Sequence, residues 1–407
     1  MQLCVLLCLV LLSPQVVSRR RQHSQVTKKR VRELPVVATV APGHRDFTFN
    51  LFRALVAAGP DQNIFFSPLS IAMTLGMISL GARSNTKAQI LEGLRFDFQC
   101  DPEELLHKTF QRLLQELNRP KEDLQLSLGN ALFTKSNVDI QDTFLSAMRT
   151  LYLSDTFPTN FGDPEGAKKQ INDYVAKQTK GRIVDLVKHL DGTEVMMLVN
   201  YIFFKAKWET NFDVKSTKKQ DFHLTSKRVI QVPMMKREDQ YLYLMDRNLF
   251  CQVVGVPYQG NATAFFILPN EGRMRQLEAG LNKVTLQKWL RMLTKRTLQL
   301  YLPKFSIEGA YQLNNVLPKL GIRDIFTSNA DLSGLTSQTK MQVSEMVHKA
   351  VIEVDESGTK AAAATDMTFT FRSIYVGSPS IMFNRPFLTV IVENGENILF
   401  LAKVTHP

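Results

Sequence analysis

Residues 356–380 read ESGTKAAAATDMTFTFRSIYVGSPS and lie between two apolar, strand-like runs, Val347–Val354 and Phe387–Val392. No glycine-tight hairpin joins those runs, and connections this long are uncommon in compact domains unless they are functional or disordered. Taken with a period of two, the stretch separates into two sets. Thr359, Ala361, Ala363, Thr365, Met367, Phe369 and Phe371 share one parity and are small or apolar. Lys360, Ala362, Ala364, Asp366, Thr368, Thr370 and Arg372 share the other, which is largely polar. That is the alternation of a strand with one buried face. An easily cleaved linker would also favour small residues, but it has no reason to alternate over fourteen positions. The small side chains gather at the end nearer the preceding strand. A strand forced between two others must begin with side chains that fit before the gap is open. Ala and Thr fit, whereas Leu or Arg would clash or bury an unpaired charge. The stretch reads as a strand not yet in a sheet.

Outward from it, the chain divides by periodicity. Phe47, Leu51, Phe52 and Leu55 share one helical face, which Gly59-Pro60 stops. Ser67-Pro68 opens a second apolar helix reaching about Leu80, with Ser as cap and Pro in the first turn. Further helical patterns occupy 86–94, 102–118, 141–150, 163–179, 272–280 and 283–294. Strand-like runs occupy 125–134, 195–207, 228–234, 251–256, 262–268, 297–302, 341–354, 387–393 and 397–404. Helices dominate the first half and strands the second, without regular β–α alternation, which predicts an α+β fold. No linker composition and no internal repeat interrupts residues 45–407, so they are expected to form a single domain.

Leu3–Leu12 is an apolar run too short to cross a bilayer, followed by the small Ser18. Residues 1–18 are therefore expected to be a secretory signal, although no Lys or Arg precedes the run, and the chain a secreted one that does not span a membrane. The net charge is +12, much of it in RRRQHSQVTKKRVR at 19–32, which has no acidic residue. Residues 19–44 are expected to be a disordered basic arm. Outside the cell its partners would be polyanions such as glycosaminoglycans, not nucleic acid. Cys100 and Cys251 remain after the signal, and the sequence leaves open whether they pair. Asn261-Ala262-Thr263 is a glycosylation acceptor at Asn261.

Catalysis finds little support. There is no GxSxG, HExxH, GxxxxGK or paired CxxC, and the seven histidines lack metal-ligand spacing. Asp355-Glu356-Ser357-Gly358 comes nearest to a serine nucleophile, but nothing around it would fix a base or an oxyanion hole. The chain is expected not to be an enzyme and to need no cofactor or metal. His348, in an otherwise apolar run, is expected to be a buried hydrogen-bonding histidine.

ESGTKAAAAT at 356–365 resembles the hinge of the inhibitory serpins. NIFFSPLSIAMTLGMISLGA from Asn63, NYIFFKAKWETNF from Asn200, VHKAVIEVDESGT from Val347 and FNRPFLTVIVE at 383–393 are further marks of that family, in its antitrypsin-like branch. The resemblance covers about residues 45–407. It implies three β-sheets, eight or nine helices and an exposed reactive-centre loop at about 356–380. It also implies a monomeric inhibitor that traps a serine protease when its cut loop enters a sheet. Carried over, the reactive bond is Arg372-Ser373, Phe371 sets a neighbouring subsite, and Glu356, Gly358, Thr359, Ala361, Ala362, Ala363 and Ala364 form the hinge. An Arg bait matches trypsin-like pockets that end in a carboxylate. By resemblance the targets would be activated protein C, thrombin, kallikreins, plasminogen activators and acrosin, in coagulation, fibrinolysis and the reproductive tract.

The segment 283–296 carries Lys283, Lys288, Arg291, Lys295 and Arg296 without an acidic residue. Taken as one helix, it would gather Lys288, Arg291 and Lys295 within about 60° of arc, with Leu286, Trp289, Leu290 and Leu293 facing the core. This is the expected heparin site. The family's more usual heparin helix would correspond to 102–117, where Glu103, Glu104 and Glu116 oppose Lys108 and Arg112. A competing expectation is a non-inhibitory serpin carrying a hormone, lipid or retinoid. Bulky or charged hinge residues would favour that reading, and Gly358, Thr359 and the four alanines do not supply them.

Overall fold

Ser67 closes the first turn of the second helix: its Oγ accepts the Ser70 N–H at 3.2 Å, and Pro68 occupies the first helical position. All twelve residues of that helix are buried, as a helix apolar on every side requires. The computed structural model describes residues 44–95, 103–119, 124–338, 341–358 and 378–407. The expected signal, the expected arm as far as residue 43 and residues 359–377 of the expected loop lie outside them.

Among the described residues there are eight α-helices: α1 (His44–Ala58), α2 (Pro68–Ser79), α3 (Ser84–Gly93), α4 (Glu103–Leu117), α5 (Asp142–Tyr152), α6 (Pro164–Gln178), α7 (Met274–Gly280) and α8 (Lys283–Met292). The strands of the first half are β1 (Ile64–Phe66), β2 (Leu124–Lys135), β3 (Asp155–Thr159) and β4 (Met196–Ala206). Those that follow are β5 (Lys218–Thr225), β6 (Arg228–Asp246), β7 (Cys251–Pro257), β8 (Ala262–Pro269) and β9 (Thr294–Pro303). The last are β10 (Phe305–Gln312), β11 (Glu345–Val354), β12 (Ser380–Met382), β13 (Phe387–Glu393) and β14 (Asn397–Val404).

A five-stranded sheet runs β10-β11-β4-β2-β3. A nine-stranded one runs β1-β14-β13-β8-β7-β6-β9-β12, with β5 also on β6. The 19-residue β6 explains why the three sheets implied by the resemblance are joined into two. Its first part pairs with β5, its middle with β9 and its end with β7.

The five-stranded sheet is covered on both faces. The main core lies on the α2 side. On the other face, Ile171 and Val175 of α6 pack in a second cluster with Phe133, Met197, Val199, Phe203 and Val347. Burial on both faces accounts for the unbroken apolar run MMLVNYIFFKA of β4, all eleven residues of which are buried.

Candidate functional site

The centre of this sheet is a parallel pair. β11 and β4 run in register from Glu345 opposite Met197 to Ile352 opposite Phe204. A strand placed between them would run antiparallel to both. Beyond Val354 the chain is held in a tight turn. Asp355 Oδ1 accepts the Ser357 N–H at 3.0 Å and the Ser357 hydroxyl at 2.8 Å, and the Gly358 N–H donates to the Asp355 carbonyl at 3.1 Å. The segment leaving β4 clasps this turn. Trp208 donates its indole Nε1–H to the Asp355 carbonyl at 2.9 Å and its backbone N–H to the Ser357 carbonyl at 3.2 Å. Phe212 N–H donates to the Glu356 carbonyl at 2.7 Å. Trp208 is fully buried and stacks on Tyr258, with centroids 4.2 Å apart.

Two of the expected hinge residues are explained by this clasp. The Glu356 side chain is buried, and its carboxylate accepts from Lys304 Nζ and Thr217 Oγ1, both at 2.9 Å. Burial works to raise its pKa, but those partners outweigh it and hold the carboxyl below the usual range. Gly358 sits at φ 73°, and a Cβ there would lie 2.4 Å from both the Ala206 carbonyl oxygen and the Trp208 nitrogen. Only glycine fits. The other predicted loop residues, Thr359, Ala361, Ala362, Ala363, Ala364, Phe371, Arg372 and Ser373, lie outside the described residues. The chain is next described at Ser378, whose Oγ donates to Glu238 at 2.7 Å, before β12 pairs with β9 in the other sheet. The described residues on either side of 359–377 are therefore fastened to different sheets.

The seam between β4 and β11 is also tied along its length. Glu353 of β11 pairs with Lys205 of β4 at 3.1 Å and with Arg182 at 3.4 Å. Lys349 of β11 reaches the Val184 carbonyl, beyond α6, at 2.9 Å. Midway, His348 and Asn200 are cross-strand partners whose side chains hydrogen-bond. His348 Nε2 accepts the Ser67 N–H at 3.2 Å, so Nδ1 carries the proton toward Asn200. Burial drives the His348 pKa down to about 3, which keeps the ring neutral. The expectation of a buried, bonded histidine holds.

The expected basic helix needs correction. α8 ends at Met292, Leu293 is already extended, and Lys295 and Arg296 lie on β9 opposite Leu242 and Tyr241 of β6. The alternation of Leu298, Leu300 and Leu302, all buried, carries the chain into the sheet. Lys288, Arg291 and Lys295 thus share no helical arc. Nor is the segment free of acidic partners: Lys283 pairs with Asp46 at 3.8 Å and Lys288 with Asp246 at 3.3 Å. Asp246 also accepts the Trp289 indole N–H at 2.7 Å. The five cations line a helix-to-strand corner, on which Leu286 and Trp289 face the core as expected.

Asn261 is exposed in the β7–β8 turn. Cys251 is a free, buried thiol whose pKa burial pushes up to about 12, while Cys100 lies outside the described residues. Among the described residues no group of three or more His, Cys, Asp or Glu is placed to hold a metal, and no helix is long and apolar enough to cross a membrane. Sequence reasoning missed Trp208, Thr217, Lys304 and Glu353 as partners of the hinge and seam. Their roles come from neighbours distant in the chain: NYIFFKAKWETNF includes Trp208 and VHKAVIEVDESGT includes Glu353, but neither motif names a partner.

The sequence model of the serpin (serine protease inhibitor) family matches residues 42–407. The chain is 67% identical to bovine plasma serine protease inhibitor and 66% identical to the human protein of that name, covering the full length of each pair. Both are named as inhibitors. Among solved structures, human thyroxine-binding globulin complexed with thyroxine superposes with a TM-score of 0.85 at 41% identity, over 90% of this chain and 97% of that one. With these matches, and with its two sheets and eight described helices, the chain belongs to the serpin family.

Proposed function

We propose that this protein inhibits trypsin-like serine proteases as a suicide substrate, with Arg372-Ser373 as the reactive bond. The carrying observation is the closed parallel seam beside the Gly358 turn: a chain reversing there from β11 enters antiparallel to both neighbours. The protease serine attacks the Arg372 carbonyl, the bond to Ser373 breaks, and Arg372 is left as an ester on the enzyme. Residues from Thr359 onward then enter the seam, adding ladder hydrogen bonds and burying the apolar parity. The distortion of the carried protease keeps the ester from hydrolysis. The names of the bovine and human relatives support this reading. The residue at Gly358 favours it over hormone carriage, which fold likeness to thyroxine-binding globulin alone does not decide.

The same reading places the protein outside the cell, glycosylated at Asn261 and acting on proteases of coagulation, fibrinolysis and reproduction. The α8–β9 corner binds heparin, with the basic arm as auxiliary, so that one polyanion chain holds inhibitor and protease together and raises their association rate. Incubation with trypsin followed by denaturing electrophoresis tests the core of it. Wild type is expected to give a complex that survives denaturation, and Arg372→Ala none. Undiminished complex with that variant would move the bait elsewhere.

A further inference from the structure

Between the tip of the β5–β6 hairpin, the turn after β8 and the segment entering β13 lies an open cleft of about 620 Å³. Small-molecule sites commonly have volumes of this size. Arg385 lines it, half-buried. Its Nε–H donates to the Pro269 carbonyl at 2.9 Å, which fixes the plane of the guanidinium. Among the described residues its two terminal nitrogens donate to nothing. Burial pushes the guanidinium pKa down, with only Glu271 opposing, and Glu271 forms no ion pair with it among the described residues. A rigid, partly dehydrated cation therefore presents an unused fork of donors to the cleft.

Glu271 and His223 also line the cleft, and the remaining lining is uncharged and rich in hydrogen-bonding groups. Thr225, Asn270 and Asn384 face the cleft, with Met274 and Pro386 as a small apolar edge. The Asn384 backbone is itself fixed, its carbonyl accepting the His223 N–H at 2.7 Å. We propose that this cleft binds a sugar acid: its carboxylate on the terminal nitrogens of Arg385, its hydroxyls on Thr225, Asn270 and Asn384. A fatty acid would leave those amides unused, and a neutral sugar would leave the guanidinium unpartnered. A multiply sulfated chain needs several cations, whereas here a single Arg is flanked by an acid. The cleft shares no residue with the hinge or the β4–β11 seam, so the inference stands apart from protease trapping.

The test titrates the full chain with glucuronate, and with glucose as the neutral counterpart, by saturation-transfer NMR. Glucuronate is expected to bind saturably in the range of roughly 1–10 mM, and glucose about tenfold more weakly. Arg385→Gln should weaken glucuronate about tenfold while leaving glucose unchanged. Glu271→Gln, an exposed change, should tighten glucuronate roughly two- to fivefold by removing a like charge. Should Arg385→Gln fail to fold, Glu271→Gln decides alone. Equal binding of the two sugars, no saturable binding, or indifference to Glu271→Gln would overturn the assignment.

Discussion

The β4–β11 seam and the α8–β9 corner are the two regions on which the proposed function depends, and they are built on opposite principles. The seam is largely buried and directional. Its pairing partners, the Trp208 clasp and the Glu353 ion pairs each fix one geometry, and Gly358 has no room for a methyl group. The corner is wet and tolerant. Arg291, Lys295 and Arg296 are exposed, and the two lysines with acidic partners sit at the margin of solvent. Interactions buried from water are strong and sensitive to shape, whereas exposed charges act at longer range and are screened by salt. Changes in the seam should therefore alter whether a protease is trapped, and changes in the corner only how fast it is met.

The largest effect is expected at the hinge. Gly358→Val places a branched side chain at positive φ against the backbone of 206–208. It should cost about 3 kcal/mol or more in denaturant unfolding and raise the number of inhibitor molecules consumed per protease. A variant as stable and as efficient as wild type would mean that the clasp is not as tight as drawn. Next comes Glu353→Gln, which leaves the buried Lys205 without its anion across the seam. Native stability should fall by about 2 kcal/mol, reduced from a fully buried pair because Glu353 is partly exposed. Insertion should become faster, since β4 and β11 part more easily; stopped-flow kinetics of trypsin trapping would read this. The smallest effect on the fold belongs to the corner. Replacing Arg291, Lys295 and Arg296 together by Ala should change stability by less than about 0.5 kcal/mol. The same triple variant should weaken heparin binding and flatten its salt dependence, with inhibition in the absence of heparin unchanged. Heparin affinity that survives it would assign the site to the arm or another face.

The same contrast governs what could be seen in the sequence. All eight helices and nine of the strands follow from periodicity, because burial on one face writes a repeat into the chain. The misses lie where that repeat is faint. β5 buries only Phe222, and β1, β3 and β12 are short. The middle of β6, KREDQ, carries charge through the stretch that pairs with β9, between its pairings with β5 and β7. β10 does alternate, with Phe305, Ile307 and Gly309 buried, but one of those positions has no side chain to announce it. At the expected hinge, the physical reasons for Glu356 and Gly358 were not legible. Glu356 is explained by Lys304 and Thr217, and Gly358 by the backbone of 206–208, all far away in the chain. The corner was misread because Lys295 and Arg296 satisfy a helical spacing as well as a strand's, and only pairing with β6 decides between them.

On the proposed mechanism the cut loop enters the β4–β11 seam with the parity of Thr359 facing inward. This entry is tested most directly by comparing Thr359→Arg with Lys360→Glu, one residue along on the outward parity. Each variant is incubated with trypsin, complexes are counted by denaturing electrophoresis, and the thermal stability of the cleaved product is measured. Thr359→Arg would carry a charged side chain into a packed site at a cost of several kcal/mol unless paired. The account predicts that it is cleaved at Arg372 as readily as wild type, forms little complex and gains no thermal stability on cleavage. Lys360→Glu should still trap the protease and still gain stability. Stable complexes formed by Thr359→Arg as efficiently as by Lys360→Glu would contradict insertion into the β4–β11 seam.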